Sequence, residues 1–322
     1  VSKLIKFGIL FLGKPLIVFG IKGPFKKSPI VRALIALGPA YIKFGQLLST
    51  RPDIVGADLA NELKVLQDSL DPFPTTEAKK IVNEELGSPV ESIFSSFSDS
   101  VAAASIAQVH KATVKETKEL VAVKILRPNV EKVFLRDLAA LLFLAKFIEF
   151  IIPSFRRLKP TEVVNHFERL VREELDLRME ISAAAEFAEN TKSDRNFYVP
   201  KVNWSLSGRR VVTTEWVDGM SVGDIENIKK SGVDIESFAK RIIKTFLTQA
   251  LRDGFFHGDM HQGNLKCRSD GTLIVMDFGI MGRIDEYTRK TYAEILIGFL
   301  RRDYLRVAEV HFEAGYVSDN QN

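Results

Sequence analysis

The stretch that decides the fold reads HGDMHQGN over residues 257–264 and IVMDFG over residues 274–279. The second part predicts a short apolar strand, Thr272–Met276, that is followed at once by a carboxylate. A carboxylate just past a strand end is well placed to hold a magnesium ion that bridges phosphates. Asp259 and Asn264 lie five positions apart in the preceding loop, and Asp277 comes thirteen positions after Asn264.

The spacing of Asp259 and Asn264 is that of the catalytic loop of kinases. In that loop the Asp accepts or orients the proton of the attacking hydroxyl, and the Asn holds Mg²⁺. A simple polar turn uses the same residue types individually. A metal site made of His257, Asp259 and His261 is a weaker interpretation, because alternating loop positions without further His or Cys nearby give a poor site.

A lysine on an apolar strand supplies the third piece of the pattern, since Lys124 lies within VAVKI at residues 121–125. Burying a lysine is costly unless its charge has partners, and phosphate oxygens and a carboxylate are the usual ones. An edge lysine that reaches water is the plain alternative. The three pieces occur in kinase order on a predicted strand and loops, which favours a kinase-like nucleotide site.

The order of predicted elements favours an α+β fold with a small antiparallel sheet in the first lobe. The motifs in kinase order indicate that this fold is protein-kinase-like, with two lobes and a helical N-terminal extension. We expect a basic apolar segment at 1–27, the extension at 28–93, an N-lobe at 94–217 and a truncated C-lobe at 218–322. The sequence predicts two hairpins, one from Gln108–Val114 and Leu120–Leu126 and one from Lys201–Ser205 and Arg209–Val217.

Helices are predicted around and between these strands. The extension breaks at Gly38-Pro39, a further helix covers Ile54–Gln67, and Thr75 caps a helix that Gly87 ends after Leu86. The longer predicted helices are Asn129–Ile152, Thr161–Asn190, Ser221–Asp253 and Glu286–Gly315.

The segment before the lysine strand lacks the glycines that let backbone N–H groups approach phosphates closely. It contains alanines instead, and the methyl groups forbid some of the conformations open to glycine. We therefore expect this loop to hold a nucleotide differently from an ordinary protein kinase. The candidate nucleotide-binding residues of the loop are Val101, Ala102, Ala103, Ala104, Ser105, Ile106, Ala107, Gln108 and Val109.

Taken together, these motifs resemble the UbiB family of atypical kinases. AAASIAQVH at 102–110 is similar to that family's alanine-rich loop, KFGQ at 43–46 to its K-x-G-Q motif, and ELD at 174–176 to its E-x-D motif. The resemblance runs from about Gly38 to Arg283. The sequence Asp-Met-His at 259–261 and the alanine at position 107 resemble most the bacterial ubiquinone-biosynthesis branch of the family.

The resemblance implies a role for each matching residue at an ATP and Mg²⁺ site. Lys124 would contact the α- and β-phosphates and pair with Glu180. Asp259 would be the catalytic residue, and Asn264 and Asp277 would hold the metal.

The resemblance further implies a regulatory set. Lys43 and Gln46 would reach over the site toward Glu174 and Asp176 and leave no room for a protein substrate. Glu215 and Val217 are further candidate nucleotide-binding residues. The spacing of Glu173, Asp176 and Glu180 independently predicts one helix face, although an exposed acidic stripe is the commoner reading of such a pattern.

Three features depart from the family pattern. Gln262 stands where the family usually has Pro, only 43 residues follow Gly279, and the usual C-terminal transmembrane helices are absent. We therefore expect either a truncated chain or membrane attachment through the N-terminal segment. That segment has six lysines among apolar residues, which suits an anionic lipid surface, although a helix packed on the protein's own core remains equally open.

The composition excludes several classes of protein. Of the 322 residues 46% are hydrophobic and 27% charged, so a disordered or low-complexity chain is excluded. The single cysteine, Cys267, excludes an internal disulfide, and a net charge of +4 does not imply nucleic acid. The expected partners are anionic membrane lipids and either quinone-biosynthesis enzymes or lipid quinone precursors, at the cytoplasmic face of a bacterial inner membrane.

The leading hypothesis is a kinase-like ATPase or phosphotransferase that supports ubiquinone biosynthesis and acts on a small lipid-like acceptor or by ATP hydrolysis. The first alternative is a small-molecule phosphotransferase of the aminoglycoside or choline kinase type, which the HGDMHQGN loop fits well and the alanine-rich loop fits poorly. The second is a nucleotide-gated scaffold or lipid chaperone for quinone-synthesis enzymes that binds ATP without turnover.

Overall fold

A computed structural model describes residues 29–67 and 71–317, so the predicted basic segment at 1–27 lies outside the described residues. The chain forms two compact units. One comprises residues up to Arg178 together with Asn203–Thr214, and the other comprises Met179–Val202 and the residues from Glu215 onward. Residues 179–202 thus group with the later part of the chain, although the predicted boundary lay at 217. Helices and antiparallel strands both occur, as the α+β prediction requires.

Helices make up most of the described structure. Within the described residues, every helix is too short or too polar to span a bilayer. The α-helices are Pro29–Leu37, Pro39–Ser49, Pro52–Val55, Ala57–Leu63, Thr75–Leu86, Val90–Ile93, Val130–Ile151, Pro160–Glu174, Leu177–Thr191, Ile225–Lys230, Ile235–Thr248, Glu286–Arg301 and Tyr304–Glu313. Shorter 3₁₀ turns are Lys64–Gln67, Pro153–Leu158 and Trp204–Leu206, and Gln249–Asp253 is a π-helical turn.

Glycines and prolines separate the helices of the extension largely as predicted. Gly38, at φ 111°, separates the first two helices, and Pro39 occupies the first turn of the second. Gly56, at φ 84°, divides the predicted helix Ile54–Gln67 into shorter pieces, a break that the sequence analysis missed. Gly87 ends its helix in the left-handed conformation, as predicted.

The predicted cap at Thr75 is wrong. Pro74 occupies the N-cap position and makes no side-chain capping bond. The Thr75 hydroxyl donates instead to Oδ1 of Asp99 on the neighbouring strand, at 2.6 Å. The hydroxyl therefore ties the helix to the sheet rather than to its own first turn.

The first unit contains an antiparallel sheet in the order β1-β2-β3-β5, and it confirms the first predicted hairpin. Its strands are β1 Phe94–Ala103, β2 Ala107–Val114, β3 Leu120–Leu126 and β5 Val211–Glu215. Val109 pairs with Lys124, and His110 pairs with Val123. Because side chains alternate along a strand, Lys124 and Val123 belong to opposite faces, which we call the front and rear faces.

The rear face of this sheet carries the core of the first unit. Val121, Val123 and Ile125 of β3 pack with Ile81 and Val82 of the helix Thr75–Leu86. All five side chains are at most 6% exposed. The helical extension therefore covers the face of the sheet opposite Lys124.

The second unit contains two small sheets, in the orders β4-β9-β8-β6 and β10-β7. β9, at Leu273–Val275, matches the strand predicted at Thr272–Met276, whereas the sequence analysis missed the other strands, because two or three residues give no periodic signal. Those strands are β4 Phe197–Tyr198, β6 Met220–Ser221, β7 Phe255–His257, β8 Leu265–Cys267 and β10 Met281–Arg283.

Two of the longer predicted elements, a strand and a helix, are interrupted near polar residues. The predicted strand Lys201–Ser205 gives way to the turn Trp204–Leu206, because the Asn203 side chain accepts a hydrogen bond from the Leu206 N–H. The predicted helix Thr161–Asn190 is two helices, because the chain leaves the first after Glu174 and the Leu177 N–H donates to the carbonyl of Arg209. The acidic face predicted across that helix is therefore interrupted at Asp176.

Phe187 lies at the centre of the aromatic core of the second unit. Its side chain is fully buried, and its ring lies 5.7 Å from the rings of Phe197 and Phe278 and 6.1 Å from that of Phe255. Phe278 follows Asp277 directly, so this core fixes the backbone next to a candidate metal ligand.

We expect Phe187→Ala to lower the free energy of unfolding by about 3–5 kcal/mol, because truncating a buried Phe loses apolar contacts and leaves a cavity. Chemical denaturation followed by circular dichroism measures the loss. Phe143→Ala is the matched control, since Phe143 is 59% exposed and its truncation should change stability by about 0.5 kcal/mol or less. Equal losses in the two variants would contradict the placement of Phe187 in the core.

Candidate active site

His257 joins the candidate catalytic loop to the candidate metal ligand in the second unit. Its ring is 1% exposed. Nδ1 accepts a hydrogen bond from the Asp259 N–H at 3.1 Å, and Nε2 lies 2.7 Å from the carbonyl oxygen of Asp277. Because the carbonyl can only accept, Nε2 carries the proton and the ring is neutral. One side chain thereby fixes the backbone at both carboxylates.

Asn264 makes a second connection between the same segments. Its side-chain Nδ2 donates to the carbonyl of Asp259 at 3.0 Å, which directs the amide oxygen away from Asp259. Its own carbonyl accepts from the Met276 N–H at 2.8 Å, one residue before Asp277. The three predicted residues Asp259, Asn264 and Asp277 are therefore brought together within one unit by short backbone and side-chain links.

Asp277 has an unusual backbone for a residue that is not glycine, with φ 59°. Its Oδ1 accepts a hydrogen bond from the Gly279 N–H at 3.2 Å. A non-glycine residue in the left-handed region costs about 1 kcal/mol or more, so the surrounding bonds must impose it. The consequence is an exposed carboxylate at the end of a buried strand, where a cation and phosphates have access.

The alternative metal site at His257, Asp259 and His261 does not form. Both ring nitrogens of His257 have backbone partners, and Nε2 of His261 is 3.6 Å from Oδ2 of Asp259. Over residues 29–67 and 71–317 no group of three or more His, Cys, Asp or Glu side chains is arranged to hold a metal ion. Asn264 and Asp277 do fit Mg²⁺, which binds oxygen ligands and usually takes one or two from the protein and the rest from water and phosphate.

The segment that contains Glu215 and Val217 is held through its side chains and its backbone. The Glu215 carboxylate accepts hydrogen bonds from the Tyr198 hydroxyl and from the Lys201 N–H. Lys266 donates from Nζ to the Val217 carbonyl at 3.0 Å. The Glu215 side chain is thus bonded within the protein, and the contact of this segment with a nucleotide stays a prediction. Nothing in the sequence pattern pointed to Lys266.

In the first unit, the predicted alanine-rich loop is a tight turn between β1 and β2. Ala104 donates its N–H to the Ala107 carbonyl at 2.8 Å, and its φ is not positive. Ala102 and Ala104 are exposed, whereas Ala107 and Gln108 are 1% exposed. The Gln108 side chain lies on the rear face and bonds to the backbone of Phe73, so the prediction that it binds nucleotide is not supported for the side chain.

Lys124 lies on β3 on the front face and is half-buried. Glu180 lies in the helix Leu177–Thr191 of the second unit and is also half-buried. The predicted ion pair between them joins residues of different units and stays a prediction.

The regulatory residues separate into three sets of contacts. Lys43 Nζ lies 2.7 Å from Oε1 of Glu174, with side chains 23% and 13% exposed. Gln46 does not extend toward the acidic residues, because its Nε2 donates to the Leu66 carbonyl at 2.8 Å. Asp176 accepts hydrogen bonds from the Arg178 guanidinium, which lowers the pKa of its carboxyl. Only the Lys43–Glu174 half of the expected set is therefore in contact.

The comparisons with known proteins fit this geometry. The model of the ABC1 atypical kinase-like domain matches residues 65–311, more than half of the chain. The chain belongs to the ABC1 atypical kinase-like family. Relatives named probable protein kinase UbiB are similar to it, which confirms the resemblance to the UbiB family.

Three of the similar relatives, each from a different bacterium, show the extent of the match. The one from Marinobacter nauticus is 39% identical over 290 residues, or 88% of this chain and 53% of the relative. The one from Aliivibrio fischeri is 38% identical over 314 residues (95% and 58%), and the one from Pseudomonas aeruginosa is 40% identical over 290 residues (88% and 54%). The chain thus spans about half the length of the curated relatives it matches.

A solved structure agrees on the fold. The complex of Rv3197 with erythromycin from Mycobacterium tuberculosis aligns with a TM-score of 0.63 and 25% identity, over 88% of this chain and 71% of that one. Together with the family model, it confirms the predicted kinase-like α+β fold.

We expect the Lys43–Glu174 pair to contribute to stability as a unit. Lys43→Met and Glu174→Gln should each lower the free energy of unfolding by about 1–3 kcal/mol, because each leaves a half-buried charge without its partner. The double variant should lose less than the sum, with a coupling of about 1 kcal/mol. The exposed pair Glu77 and Lys80 is the control, where solvent screening should leave little or no coupling. Additive losses at Lys43 and Glu174 would contradict the contact.

Proposed function

We propose that this chain carries the nucleotide-binding and catalytic part of an atypical kinase or ATPase that supports ubiquinone biosynthesis at a bacterial membrane. The observation that carries the proposal is the arrangement of Asp259, Asn264 and Asp277 around His257. The names of the similar relatives support the link to the UbiB family and so to ubiquinone.

Each residue of this arrangement has a distinct task in phosphoryl transfer. Asp259 keeps its carboxylate 41% exposed and its backbone fixed, so it suits orienting an attacking hydroxyl or water and accepting its proton. Asn264 and Asp277 offer oxygen ligands for Mg²⁺, which when bound offsets the negative charge of the phosphates. Lys124 on the front face suits contact with the α- and β-phosphates of ATP. The acceptor we propose is a small lipid-like quinone precursor or water.

A surface of the first unit supports action at a lipid membrane. The helix Val130–Ile151 exposes Phe143, Phe147 and Phe150, which are 59%, 53% and 75% exposed. Phe143 and Phe147 stack at 6.4 Å between ring centroids. We call this set, with the exposed Ile151, the aromatic face. Aromatic side chains beside basic ones suit a headgroup layer. Exposed basic residues within this helix or soon after it in the sequence are Lys146, Arg156, Arg157 and Lys159.

We infer that the aromatic face contacts anionic lipid at the cytoplasmic side of the inner membrane, and that quinone precursors or quinone-biosynthesis enzymes meet the protein there. Each basic residue near an acidic leaflet contributes about 1 kcal/mol, and the aromatic rings add apolar burial.

Two conservative variants test the catalytic assignment against each other. Asp277→Asn should weaken Mg²⁺-dependent ATP binding at least about tenfold, because a carboxylate ligand loses its charge. Asp259→Asn should leave ATP binding within about twofold but lower turnover by about 10²–10⁴, the usual contribution of a general base. Calorimetry with and without Mg²⁺, and phosphate release with a phenolic quinone precursor, measure both.

Three outcomes would contradict the assignment. Binding of ATP that is independent of Mg²⁺ and unchanged in Asp277→Asn removes the metal role. Loss of binding with retained turnover in Asp259→Asn removes the catalytic role. Wild-type protein that binds ATP but never turns it over favours a nucleotide-gated scaffold.

Vesicle sedimentation tests the membrane proposal. The double variant of Phe147→Ser and Phe150→Ser should bind vesicles of phosphatidylglycerol and phosphatidylcholine about tenfold more weakly than wild type, since two rings that would insert into the lipid are lost. The matched control changes Phe299 and Leu300 to Ser, which are 53% and 77% exposed in the second unit. Equal binding to pure phosphatidylcholine, or equal loss in the control, would sink the assignment of this face.

A further inference from the structure

We propose that Phe73, Gln108, His110 and Arg127 form a network on the rear of the first sheet that sets the conformation of the alanine-rich turn, and so act as positioning residues for nucleotide binding. We call this set the rear network. The proposal rests on the proposed function for its nucleotide readout, while its structural part is testable without nucleotide. All four residues belong to the first unit.

Gln108 is the hub of the rear network, although it lies inside the turn motif that was expected to face nucleotide. Its Oε1 accepts from the Phe73 N–H at 2.9 Å, and its Nε2 donates back to the Phe73 carbonyl at 3.2 Å. This reciprocal pair joins β2, two residues past the turn, to the segment that leads into the helix Thr75–Leu86. A buried carboxamide that is fully bonded has one orientation, so it fixes the strand at the base of the turn.

His110 completes the bonding of Gln108. The second proton of Gln108 Nε2 points to Nε2 of His110 at 2.8 Å, and Nδ1 of His110 lies 2.9 Å from the carbonyl of Ser98 on β1. An amide nitrogen can only donate and a carbonyl can only accept, so His110 is neutral with its proton on Nδ1. The ring is fully buried and stacks on Phe97 at 4.7 Å. His110 thereby also joins both strands that flank the turn.

Arg127 holds the turn itself. Its Nε and Nη2 donate to the Ala104 carbonyl at 3.1 and 3.0 Å, and its backbone N–H donates to the Ile106 carbonyl at 2.8 Å. Its guanidinium lies over the ring of Phe73, 5.8 Å from the centroid. Arg127, just past β3, therefore binds two carbonyls of the turn and packs on the side chain of Phe73.

The rear network explains how a turn without glycine can present its backbone to a nucleotide. A turn that is ordered before binding does not lose conformational entropy on binding, so affinity is retained. Releasing the network makes the turn mobile, and the nucleotide must then order it. We therefore expect weaker binding of both ADP and ATP when the network is broken.

The state of His110 gives the network a dependence on pH. If Nε2 of His110 were protonated, its N–H would face the N–H of Gln108 Nε2, and both groups are donors. Turning the Gln108 carboxamide so that its oxygen accepts from His110 would break both hydrogen bonds to Phe73. Burial lowers the pKa of His110 below its ordinary 6.5, while the hydrogen bond to the Ser98 carbonyl and the Asp99 carboxylate on β1 oppose that shift. The Asp99 carboxylate accepts a hydrogen bond from the Thr75 hydroxyl. The neighbour of His110 on β2 is the uncharged Gln108, and the residue opposite His110 on β3 is Val123. Because the folded pKa is lowered, the network is intact above it and is lost as pH falls through it.

Calorimetry with Mg²⁺ and ADP or ATP tests the proposal on three variants. Gln108→Met and Arg127→Met should each weaken the binding of both nucleotides about two- to tenfold, the range that one or two lost hydrogen bonds supply. Val114→Ala is the matched control, because Val114 lies in the same rear core at the far end of β2 and has no bond to the turn. It should lower the melting temperature similarly and leave both dissociation constants unchanged.

A pH series separates positioning from simple stability. Wild type should lose affinity toward the acid end of a range of about pH 5–8, and His110→Gln, which cannot titrate there, should lose less over the same range. The phosphate groups of the nucleotide also titrate in this range. Their effect is the same for wild type and His110→Gln, so it cancels when the two pH profiles are compared. Identical pH profiles, or equal affinity losses in Val114→Ala and Gln108→Met, would overturn the positioning role while the proposed function stands.

Failure of nucleotide binding in wild type would instead overturn the proposed function. The network is then judged by hydrogen exchange at the amides of Ala104 and Arg127, which donate within the turn. Faster exchange of both in Gln108→Met than in Val114→Ala supports the network, and equal rates refute it.

Discussion

The buried imidazole of His257 is the constraint on which the candidate site depends. A neutral ring with one donor and one acceptor can satisfy one backbone N–H and one backbone carbonyl, and here these belong to Asp259 and Asp277. The ring is 1% exposed, so an unmade bond would leave a buried polar group unpaired, at a cost of about 1–3 kcal/mol. The two carboxylates therefore keep their relative places without bonding to each other.

The left-handed backbone of Asp277 follows from the same constraint. Asn264 ties the candidate catalytic loop to Met276, the fully buried strand β9 fixes the chain before Asp277, and Phe187 holds Phe278 after it. Asp277 thus sits between two fixed neighbours and adopts φ 59° as the conformation that joins them. The strain is localised at a residue whose carboxylate is exposed, which is the pattern expected where function opposes local preference.

Sequence reasoning reached the parts of this arrangement that depend on local pattern. Apolar strands such as Leu120–Leu126 and turns marked by Gly38 or Gly87 follow from side-chain alternation and backbone freedom, so they were predicted correctly. Apart from β9, the two- and three-residue strands of the second unit were missed, because partners far along the chain stabilise strands such as β6, which pairs with β8. The break after Glu174 was missed for the same reason, since its bond partner is the carbonyl of Arg209.

The residues of the candidate site also divide into those with a local sequence pattern and those whose contacts are far along the chain. Asp259, Asn264 and Asp277 were predicted because their chemistry and spacing are local, whereas the roles of Arg127 and Lys266 depend on carbonyls far along the chain. Gln108 shows why the distinction matters. Its position in the motif suggested the nucleotide, but the pairing of Val109 with Lys124 assigns Val109 to the front face and Gln108 to the rear. Register, which the sequence leaves open, decides which of two adjacent residues can touch a ligand.

The helical extension and the alanine-rich turn solve one physical problem together. A glycine-rich loop reaches phosphates because its backbone is unrestricted, and it loses more conformational entropy than alanine when it becomes ordered. Alanine lowers that loss but also removes conformations, so the backbone must already be close to the useful one. The rear face here is covered by the helix Thr75–Leu86, and the segment just before it supplies the peptide group of Phe73 to Gln108. A sheet with a solvent-exposed rear face would offer Gln108 only water, which imposes no single orientation. The extension is therefore the element that makes an alanine turn workable, and losing it should affect the turn directly.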